Sequence, residues 1–564
     1  MQLSLNLPTT LPADAYDYGL RSSGQTHGVV LTKSHVVKLI LDLAGYTVDR
    51  DLATFPLLEP ACGHGAFLEI AAKRLVQSAH HHKRPLSDLV GSITAYDIDD
   101  DHVARSRQAT ANALQMEGVS SAEATQLAAQ WITAGDFLLA PLQRSYSAVV
   151  GNPPYIRVEN LAPELQIEYR ARYTTLFDRA DLYIAFIERG LSLLAQDGCL
   201  TFICADRWVR NKYGAPLRRL ISENYTLACY IDLQHASPFE SKVSAYPSIF
   251  AVRPGQHSAI VPVLTLLNAS PQECADVLRL IQCENGVAEG VTLTNQASSS
   301  LGNGPWVLGR SDHLSTLQDL EARFRPLEQQ RVTRVGIGVA TGNDKVYIVN
   351  ADARIERDRL VPLVMRADIN NGTIRDARRF VINTFSDDGK IVSLTDFPLL
   401  SAYLQKHDSA VRKRHVARKN PTNWFRTIDR VYPDLVTTPK LLIPDIAGAN
   451  EVAFDSGHFH PHHNLYYISS ESWDLEVLGA LLSSRVALFF VWSYAVKMRG
   501  GYLRFQAQYL RRIRVPEPDS ISIDLRSRLL KAFADRNFPL LDELALEAFD
   551  LPQLPDFAFV DTRT

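Results

Sequence analysis

The sequence predicts an α/β protein with a largely parallel sheet in its first half. Between about residues 28 and 253, short apolar runs alternate with longer amphipathic runs, the order that builds parallel sheets through helical crossovers. The predicted strands are 55–58, 93–96, 148–150, 199–204 and 248–252. The predicted helices include 34–44, 66–79, 182–195 and 215–223.

The bulk composition indicates a globular protein of several domains. The chain has 564 residues, of which 46% are hydrophobic and 21% charged. It begins without the basic and apolar regions of a signal peptide and contains no apolar run of about 18 residues, so we expect a cytoplasmic protein. The six cysteines are scattered without a Cys-x-x-Cys pair, which predicts neither disulfides nor a thiolate metal site. The net charge of −3 leaves a local basic face possible.

The strongest motif is Asn152-Pro153-Pro154-Tyr155, which follows the apolar run 147–150. Two consecutive prolines fix two φ angles and remove two N–H donors, so the nearby carbonyls are stiffly presented without partners in the sheet. Asn152 adds an amide acceptor and Tyr155 adds a flat aromatic face. Acceptors beside a stacking surface suit an aryl amine, whose two N–H groups need partners. A Pro-Pro turn that only closes a strand is the alternative.

A second motif follows the first predicted strand and reads Glu59-Pro60-Ala61-Cys62-Gly63-His64-Gly65-Ala66. Strand, glycine turn and helix in this order build the nucleotide crevice of open α/β sheets. The two glycines permit positive φ and close approach of the backbone to a ligand, and the start of the helix offers free N–H groups to a carboxylate. The motif is neither a complete Gly-x-Gly-x-x-Gly pattern nor a Walker loop. Alone, it also fits an ordinary tight turn.

Two further acids lie at the ends of predicted strands. Asp97 ends an apolar run, where a carboxylate can accept both hydroxyls of a ribose bound across the crevice. Asp136 precedes Phe137, and this pair can bind an adenine amino group and pack against its ring. Each acid alone fits a helix-capping role equally well, a role that suits Asp99 to Asp101 better than Asp97.

The order of these motifs is more informative than any one of them, because Glu59, Asp97, Asp136 and Asn152 each follow a predicted strand. Over about residues 20–253 the chain resembles the N6-adenine DNA methyltransferases of the gamma arrangement. Residues 58–68 are similar to that family's cofactor motif at nearly every position, and residues 152–155 look like its catalytic motif. The resemblance implies the doubly wound, mostly parallel sheet of class I methyltransferases. It also implies S-adenosylmethionine as cofactor and double-stranded DNA as substrate.

The resemblance implies a role for each site residue as well, and no metal. The residues implied in cofactor binding are Thr32, Glu59, Pro60, Ala61, Cys62, Gly63, Gly65, Asp97, Asp136, Phe137 and Pro154. The segment 59–62 would hold the methionine part of the cofactor, Asp97 the ribose, and residues 136–137 the adenine. The residues implied in catalysis are Asn152, Pro153, Tyr155 and Phe239, of which the last would be a second aromatic against the target base. The family pattern has proline after Thr32, where this chain has Lys33.

The rest of the chain has a different pattern of predicted elements. Pro254-Gly255 and a Ser-rich stretch mark a connector, short β-like runs at 345–349 and 440–443 follow it, and residues 523–551 are predicted to be helical. The predicted domains are a catalytic domain at 1–255, a connector at 256–325, a DNA target-recognition domain at 326–516 and a helical segment at 517–564.

Two stretches of the target-recognition domain are candidates for DNA contact. Residues 406–430 contain eight Lys or Arg against two Asp, together with Trp424 and Phe425. Residues 497–514 are also basic and contain three aromatic residues, Tyr502, Phe505 and Tyr509. Basic, aromatic stretches fit a DNA-contacting face. A face that is only solvated is the alternative.

Three patterns imitate other sites. Four histidines suggest a metal but have no cysteine nearby, so we predict a His-rich surface loop; they are His458, His460, His462 and His463. Asp445 and Glu451 imitate part of a nuclease site but lack its Glu-x-Lys, so no fused nuclease is predicted. Thr341-Gly342 imitates a phosphate loop without the following Gly-Lys, which favours a tight turn between strands.

These features together predict the modification enzyme of a restriction–modification or phage-defence system. It would methylate N6 of a flipped-out adenine at a specific DNA site, act as a monomer, and have a separate endonuclease as a possible partner. One alternative is a methyltransferase for RNA or for protein glutamine amides, since those amines also suit the motif at 152–155. The other is a catalytically inactive DNA-binding defence component. The intact site residues and the long C-terminal part argue against these alternatives.

Overall fold

The computed structural model of the protein describes residues 30–234, 236–241, 246–255, 258–283, 287–309, 311–329, 332–375, 377–449, 451–495, 502–557 and 559. The chain divides into two compact units, of which the first ends at Ser311 and the second begins at Asp312. In the described part of the chain, no single helix is both long and apolar enough to cross a membrane; one bent pair of helices, Leu475–Leu482 and Arg485–Tyr494, passes by length and composition alone.

The described residues of the first unit contain one nine-stranded sheet in the order β3-β2-β1-β4-β5-β7-β6-β8-β9. Its strands are β1 (Leu57–Glu59), β2 (Ile93–Asp97), β3 (Ile132–Ala134), β4 (Tyr146–Gly151), β5 (Leu194–Ala205), β6 (Tyr225–Asp232), β7 (Pro247–Pro254), β8 (Ile260–Leu266) and β9 (Val291–Ala297). The five neighbouring strands β3, β2, β1, β4 and β5 are mutually parallel. Strand β7 is antiparallel to both its neighbours, and β9 is antiparallel to β8. The predicted fold class, a mostly parallel sheet with crossover helices, is confirmed.

Helices connect these strands. They are α1 (Ser34–Leu43), α2 (Ala66–His81), α3 (Asp100–Met116), α4 (Ser121–Trp131), α5 (Pro163–Arg172), α6 (Tyr183–Ser192), α7 (Arg207–Arg210), α8 (Ala215–Asn224) and α9 (Pro271–Cys283). Successive side chains of a strand point to opposite faces. Accordingly, Ala148 and Val150 belong to one buried apolar cluster and Val149 to another. Each face of the sheet therefore has its own core, as a doubly wound fold requires.

The strand order reverses direction between β1 and β4, which are neighbours with Leu57 opposite Ala148. From β1 the chain moves outward to β2 and β3, and from β4 it moves the other way to β5. Ligands of open α/β sheets bind outside the carboxyl ends of the strands at such a reversal. The ends of β1 and β4 therefore define the crevice in which the site is expected.

The predicted connector at 256–325 differs from the structure in its first part. Residues 260–297 contain β8, α9 and β9, which extend the central sheet through seven paired positions between β8 and β9. The sequence favoured a linker because of the Pro254-Gly255 pair and the Ser-rich stretch at 296–301, and Pro262 also lies within β8. The prolines are tolerated because β7 ends at Pro254 and β8 lies near the edge of the sheet.

The second unit is built from smaller sheets and helices. Two four-stranded sheets have the orders β11-β21-β17-β19 and β12-β16-β13-β20 in its described residues. The strands are β10 (Arg325–Pro326), β11 (Thr333–Ile337), β12 (Ile348–Asn350), β13 (Leu360–Val364), β14 (Ile369–Asn370), β15 (Thr373–Ile374), β16 (Arg379–Ile382), β17 (Lys440–Pro444), β18 (Ile446–Ala447), β19 (Ala453–Asp455), β20 (His460–Pro461), β21 (Leu465–Ser470), β22 (Leu503–Arg504) and β23 (Arg514–Val515). The helices are α10 (Ser311–Arg323), α11 (Asp344–Tyr347), α12 (Pro398–Lys406), α13 (Asp408–Arg412), α14 (His415–Lys419), α15 (Asp434–Thr437), α16 (Leu475–Leu482), α17 (Arg485–Tyr494), α18 (Ala507–Leu510), α19 (Ile523–Ala534) and α20 (Phe538–Ala548).

The predicted elements of the second unit agree with the structure in part. The run at 440–443 lies in β17, and the predicted helical segment at 523–551 contains α19 and α20. The run at 345–349 was predicted as β-like, but its first residues form the short helix α11 and only its end lies in β12. Asp344 begins that helical turn and accepts a hydrogen bond from Thr341, local capping chemistry that overrides the apolar pattern.

Candidate active site

Glu59 is the last residue of β1 and lies at the floor of the crevice. Its side chain is 1% exposed, and its Oε2 has no hydrogen-bond partner among the described residues. Burial, together with the charge of Asp97, raises the pKa of the Glu59 carboxyl well above its usual value. A buried acceptor without a partner is costly, so this atom marks a position at which a ligand donor would fit.

The glycine turn after Glu59 is held by its backbone. The N–H of Cys62 donates to the carbonyl of Tyr96 at 2.9 Å, and the N–H of Gly65 donates to the carbonyl of Cys62 at 2.8 Å. Gly63 and Gly65 have φ values of 51° and 91°, a conformation that favours glycine. A Cβ atom on Gly65 would lie 2.9 Å from Ser106 Oγ. The turn therefore requires glycine for both its conformation and its space, and the predicted order of strand, glycine turn and helix is present.

Asp97, at the end of β2, supports this turn as well as facing the crevice. Its Oδ2 accepts from the Gly63 N–H at 2.8 Å, and its Oδ1 accepts from the Asp99 N–H at 3.0 Å and lies 3.2 Å from His102 Nδ1. An ionised carboxylate accepts about four hydrogen bonds, so room remains for about one further donor while His102 is in place. Asp99 caps α3 through the N–H groups of Asp101 and His102, as the capping alternative predicted.

Asp136 and Phe137 lie just beyond β3 and are both buried. Asp136 accepts from the Leu138 N–H at 2.8 Å and from the Tyr169 hydroxyl at 2.7 Å. Phe137 packs against Phe186, with ring centroids 5.3 Å apart. Tyr169 was not singled out from the sequence, because it lies 33 residues away on α5 and no local pattern connects it to Asp136.

The end of β4 meets the end of β1 at Gly151. A Cβ atom on Gly151 would lie 3.6 Å from Pro60 and 3.7 Å from Glu59, so the backbone of β4 passes directly beside the cofactor motif predicted from the sequence. The next residue, Asn152, donates from Nδ2 to the carbonyl of Val30 at 3.3 Å. Its Oδ1 is buried and has no partner among the described residues. The amide is thus fixed with its acceptor end available.

A pairing between distant segments brings Thr32 and Phe239 to this site. Two backbone hydrogen bonds, each of 2.9 Å, join residues 31–33 to residues 238–240, and Thr32 lies opposite Phe239. Thr32 Oγ1 is buried and has no hydrogen-bond partner among the described residues. The same is true of one side-chain oxygen of Glu59 and one of Asn152. Phe239 is 6% exposed and packs in the first core cluster. This packing leaves little of the Phe239 ring accessible to a base. Its role as a base-stacking residue stays a prediction.

Tyr155 lies beside a buried network of tyrosines. Its ring packs edge-on against Tyr183 with centroids 6.1 Å apart, and its hydroxyl is buried without a partner among the described residues. The Tyr183 hydroxyl lies 2.8 Å from that of Tyr213, which donates to Asp181 at 3.0 Å. Pro153 is buried, and Pro154 and Tyr155 are half-buried. Part of the Tyr155 residue is therefore exposed while its hydroxyl points inward.

The patterns that imitate other sites have structural explanations in the second unit. Asp445 pairs with Arg504 at 2.7 Å and Glu451 with Arg366 at 3.0 Å, so these two carboxylates bind arginines. The prediction of a His-rich surface loop is wrong for His460 and His462, which are each 2% exposed. The reason is that β20 pairs with β13 and draws this segment inward. Burial also lowers the pKa of His460 to about 4.

The aromatic residues of the two basic stretches are mostly core residues. Trp424 and Phe425 are 8% and 5% exposed, and Phe505 and Tyr509 are 0% and 2% exposed. Only Tyr502 of the five is exposed, at 40%, and residues 497–501 lie outside the described residues. These aromatic side chains support the domain, so any DNA contact from these stretches would come from the charged residues.

The fold and this site together define an S-adenosylmethionine-dependent methyltransferase. The crevice at the reversal between β1 and β4 contains a buried carboxylate, a glycine turn and two strand-end acids, in the order that the cofactor requires. Three buried polar atoms there have no partner among the described residues, namely Thr32 Oγ1, Glu59 Oε2 and Asn152 Oδ1. Thr32 Oγ1 and Glu59 Oε2 fit a cofactor with an ammonium group and hydroxyl groups, so the residues present fit the group, while Asn152 Oδ1 remains available beside them.

Comparison with known proteins also identifies the chain as a methyltransferase. Residues 68–239 match the family model described as Eco57I restriction-modification methylase. The chain is 41% identical over 543 residues to the type II methyltransferase M.BstVI of Geobacillus stearothermophilus, covering 94% of this chain and 97% of that protein. It is 44% identical over 517 residues to the type II methyltransferase M.XhoI of Xanthomonas vasicola, covering 90% and 94%. The solved type IIL restriction-modification enzyme MmeI has the same fold, with a TM-score of 0.57 and 13% identity over 93% of this chain and 74% of that one.

The chain belongs to the type II methyltransferases of restriction–modification systems. It is therefore a DNA methyltransferase that uses S-adenosylmethionine. These relatives do not support the alternatives of an RNA or protein-glutamine methyltransferase or of an inactive DNA-binding component.

Because the Glu59 carboxyl is buried, we expect the wild type and the Glu59→Gln variant to differ in stability by an amount that depends on pH. Because its pKa is raised in the folded protein, the folded state binds more protons than the unfolded chain above the usual carboxyl pKa, and stability falls as pH rises through that window. Glu59→Gln removes this titration with little change in shape. We expect the cofactor-free variant to melt at a higher temperature than the wild type at pH 8, with the difference disappearing near pH 4.

Differential scanning fluorimetry from pH 4 to pH 8 measures this difference. The matched control is Glu164→Gln, since Glu164 is an exposed acid of α5 and its substitution should not alter the pH dependence. A Glu59→Gln melting temperature equal to or below that of the wild type at pH 8 would contradict the burial cost assigned to this carboxyl.

Proposed function

We propose that this enzyme transfers the methyl group to the exocyclic N6 amino group of an adenine rotated out of duplex DNA. The observation that carries the proposal is the Asn152 amide, whose Nδ2 is bound to the Val30 carbonyl while its buried Oδ1 has no partner among the described residues. A buried acceptor held in one orientation is suited to an N–H donor of the substrate. The type II relatives and the DNA complex of MmeI support DNA as the source of that donor.

Two acceptors are needed because the adenine amine has two N–H groups. Its lone pair is delocalised into the ring, which makes it a poor nucleophile. Asn152 Oδ1 would accept one N–H and the Pro153 carbonyl the other, which favours a pyramidal nitrogen with its lone pair available. Pro153 and Pro154 keep that carbonyl in place, since neither can donate to a neighbouring strand. Positioning and electrostatics of this kind can account for a large part of a rate acceleration.

Tyr155 would hold the base once it has left the helix. Extrusion of a base costs a few kcal/mol, and stacking on an aromatic ring returns about 1–3 kcal/mol. The packing of the Tyr155 ring against Tyr183 fixes its orientation at the mouth of the site. The hydroxyl is buried and has no described partner, so the ring and not the hydroxyl would be the functional part.

The cofactor residues divide by the part of the cofactor they would hold. S-adenosylmethionine supplies an activated methyl group on a positively charged sulfur, which leaves as a neutral thioether. Ionised Glu59 and the turn at 60–65 would bind the methionine part, with Thr32 and Pro154 beside them. Asp97 would accept one ribose hydroxyl, and a second once His102 moves aside. Asp136 and Phe137 would bind and pack the adenine of the cofactor.

The second unit would recognise the DNA target, with the segment at 517–564 completing it. We further propose a monomeric, cytoplasmic enzyme that protects its target sites from a separate endonuclease. The domain boundary best suited to a fragment lies near residue 311, where the two units divide, because a fragment ending at 255 would remove β8 and β9 from the sheet.

The identity of the methylated base tests the proposal. We expect duplex DNA incubated with the enzyme and methyl-labelled cofactor to yield N6-methyldeoxyadenosine after digestion to nucleosides, because an exocyclic amine can use both acceptors and the resemblance to N6-adenine methyltransferases favours adenine over the exocyclic amine of cytosine. Liquid chromatography with mass spectrometry measures the product. Label on cytosine, or label in RNA under the same conditions, would contradict an adenine acceptor.

The stacking role predicts different results for two substitutions of Tyr155. Tyr155→Phe keeps the ring and loses a hydroxyl that has no described partner, so we expect near-normal transfer. Tyr155→Ala should lose about 1–3 kcal/mol of base stacking, a decrease of roughly 5- to 150-fold in base extrusion. Fluorescence of 2-aminopurine at the target position measures extrusion, and single-turnover transfer measures its consequence. Equal loss in both variants would assign the function to the hydroxyl instead of the ring.

A further inference from the structure

A cavity of about 500 Å³ in the second unit is lined by two segments that are distant in the sequence, the turn at 341–342 and part of the basic stretch at 406–430. The Thr341-Gly342 turn contributes Gly342, and the basic stretch contributes the rest of the wall. The cavity lining includes Gly342, Arg414, His415, Lys419, Arg426 and Ile428. The lining contains three cationic side chains, those of Arg414, Lys419 and Arg426, together with one histidine and no acidic side chain.

Arg414 forms a fixed part of this wall. Its guanidinium donates to the carbonyls of Thr341, Trp424 and Arg426 at 2.8 to 3.0 Å and to the Tyr347 hydroxyl at 2.9 Å. All these partners are neutral oxygens. The arginine therefore ties the glycine turn to the basic stretch while its positive charge remains uncompensated by a carboxylate in the described residues.

Lys419 and His415 lie at the exposed rim of the cavity and have no hydrogen-bond or ion-pair partner among the described residues. Two other cations of the same stretch bind groups that do not line the cavity. Arg412 pairs with Asp408 at 2.6 Å, and Arg430 donates to the Asp387 carbonyl at 2.6 Å. The structure thus separates the supporting cations of this stretch from those that remain available.

The floor of the cavity is apolar. Ile428 is 46% exposed, unusual for a large aliphatic side chain. A Cβ atom on Gly342 would lie 2.9 Å from Ile428 Cδ1, and the φ of this glycine is 80°. Glycine is therefore required at this position, and the Ile428 side chain lies against the turn.

We propose that this cavity holds a phosphodiester group of the substrate DNA backbone, with the sugar against Ile428. The proposal rests on the membership of the chain among DNA methyltransferases and goes beyond the chemistry of the methyl acceptor. Cations without counter-ions around a concave surface favour a phosphate, and the apolar floor suits the adjoining deoxyribose. Phosphate contacts fix the register of a duplex without reading its sequence. The cavity therefore anchors DNA and leaves base selection to other residues.

Salt-dependent binding of the full-length protein to labelled duplexes tests this role, measured by fluorescence anisotropy between 50 and 300 mM salt as a working range. Lys419→Gln should weaken binding about three- to thirtyfold and reduce the slope of log affinity against log salt by about one. The loss should be the same for duplexes of different sequence. Lys419→Arg should restore the affinity and the slope. Lys38→Gln, at an exposed position of α1 in the first unit, is the matched control and should change neither.

Two results would overturn the proposal. One is an unchanged affinity and slope for Lys419→Gln. The other is an equal loss for Lys406→Gln, which removes a charge from the same stretch outside the cavity lining and would indicate a diffuse basic field. Binding is measured without methyl transfer, so an error in the assignment of the methyl acceptor would leave these results unchanged.

Discussion

The hydrogen bond from the Asn152 side chain to the Val30 carbonyl decides which end of that amide faces the substrate. An asparagine amide offers two donors on nitrogen and two acceptor positions on oxygen, and either end can face a ligand when nothing restrains it. Here Nδ2 is bound and Oδ1 is buried without a described partner. The restraint comes from the segment at 30–33, which is itself held by its backbone pairing with residues 238–240. The proposed chemistry depends on this chain of contacts.

The site carries an energetic cost that a ligand would offset. Thr32, Glu59 and Asn152 each bury a polar atom without a described partner, and such atoms cost about 1–3 kcal/mol each. The close approach of Gly151 to Pro60 and Glu59 places two of these atoms, those of Glu59 and Asn152, at the ends of neighbouring strands of one sheet. Burial also keeps the Glu59 pKa high until a cation is present. In the proposed function, the same features that destabilise the ligand-free protein would make it complementary to its cofactor and to the substrate base.

Strand-end residues could be predicted from the sequence because a parallel sheet places the carboxyl ends of its strands at one edge. The alternating pattern placed Glu59, Asp97, Asp136 and Asn152 at strand ends, and the resemblance to the gamma methyltransferases supplied the role predicted for each. The contacts that orient them could not be predicted, since Val30 is 122 residues from Asn152 and no periodicity connects the two. Tyr169 was missed for the same reason.

Burial in the second unit was harder to predict because its elements are short. The aromatic residues of the basic stretches suggested a stacking surface, yet Trp424 and Phe425 form part of a core cluster. A strand of two residues, β20, was enough to bury two histidines that composition assigned to the surface. In such a domain the partner of each short strand decides burial, and that partner is distant in sequence.

The Asn152→Asp variant tests the central claim most directly, because aspartate keeps the acceptor oxygens and removes the donor to Val30. Single-turnover methyl transfer under saturating DNA and cofactor is the measurement, with Asn152→Ala, which has neither group, as the reference for complete loss. Since a carboxylate cannot donate and would face the Val30 carbonyl unfavourably, we expect the transfer rate of Asn152→Asp to fall close to that of Asn152→Ala while both variants still bind DNA and cofactor. Transfer by Asn152→Asp at the wild-type rate would show that the acceptor alone suffices and would contradict the orienting role of the hydrogen bond to Val30.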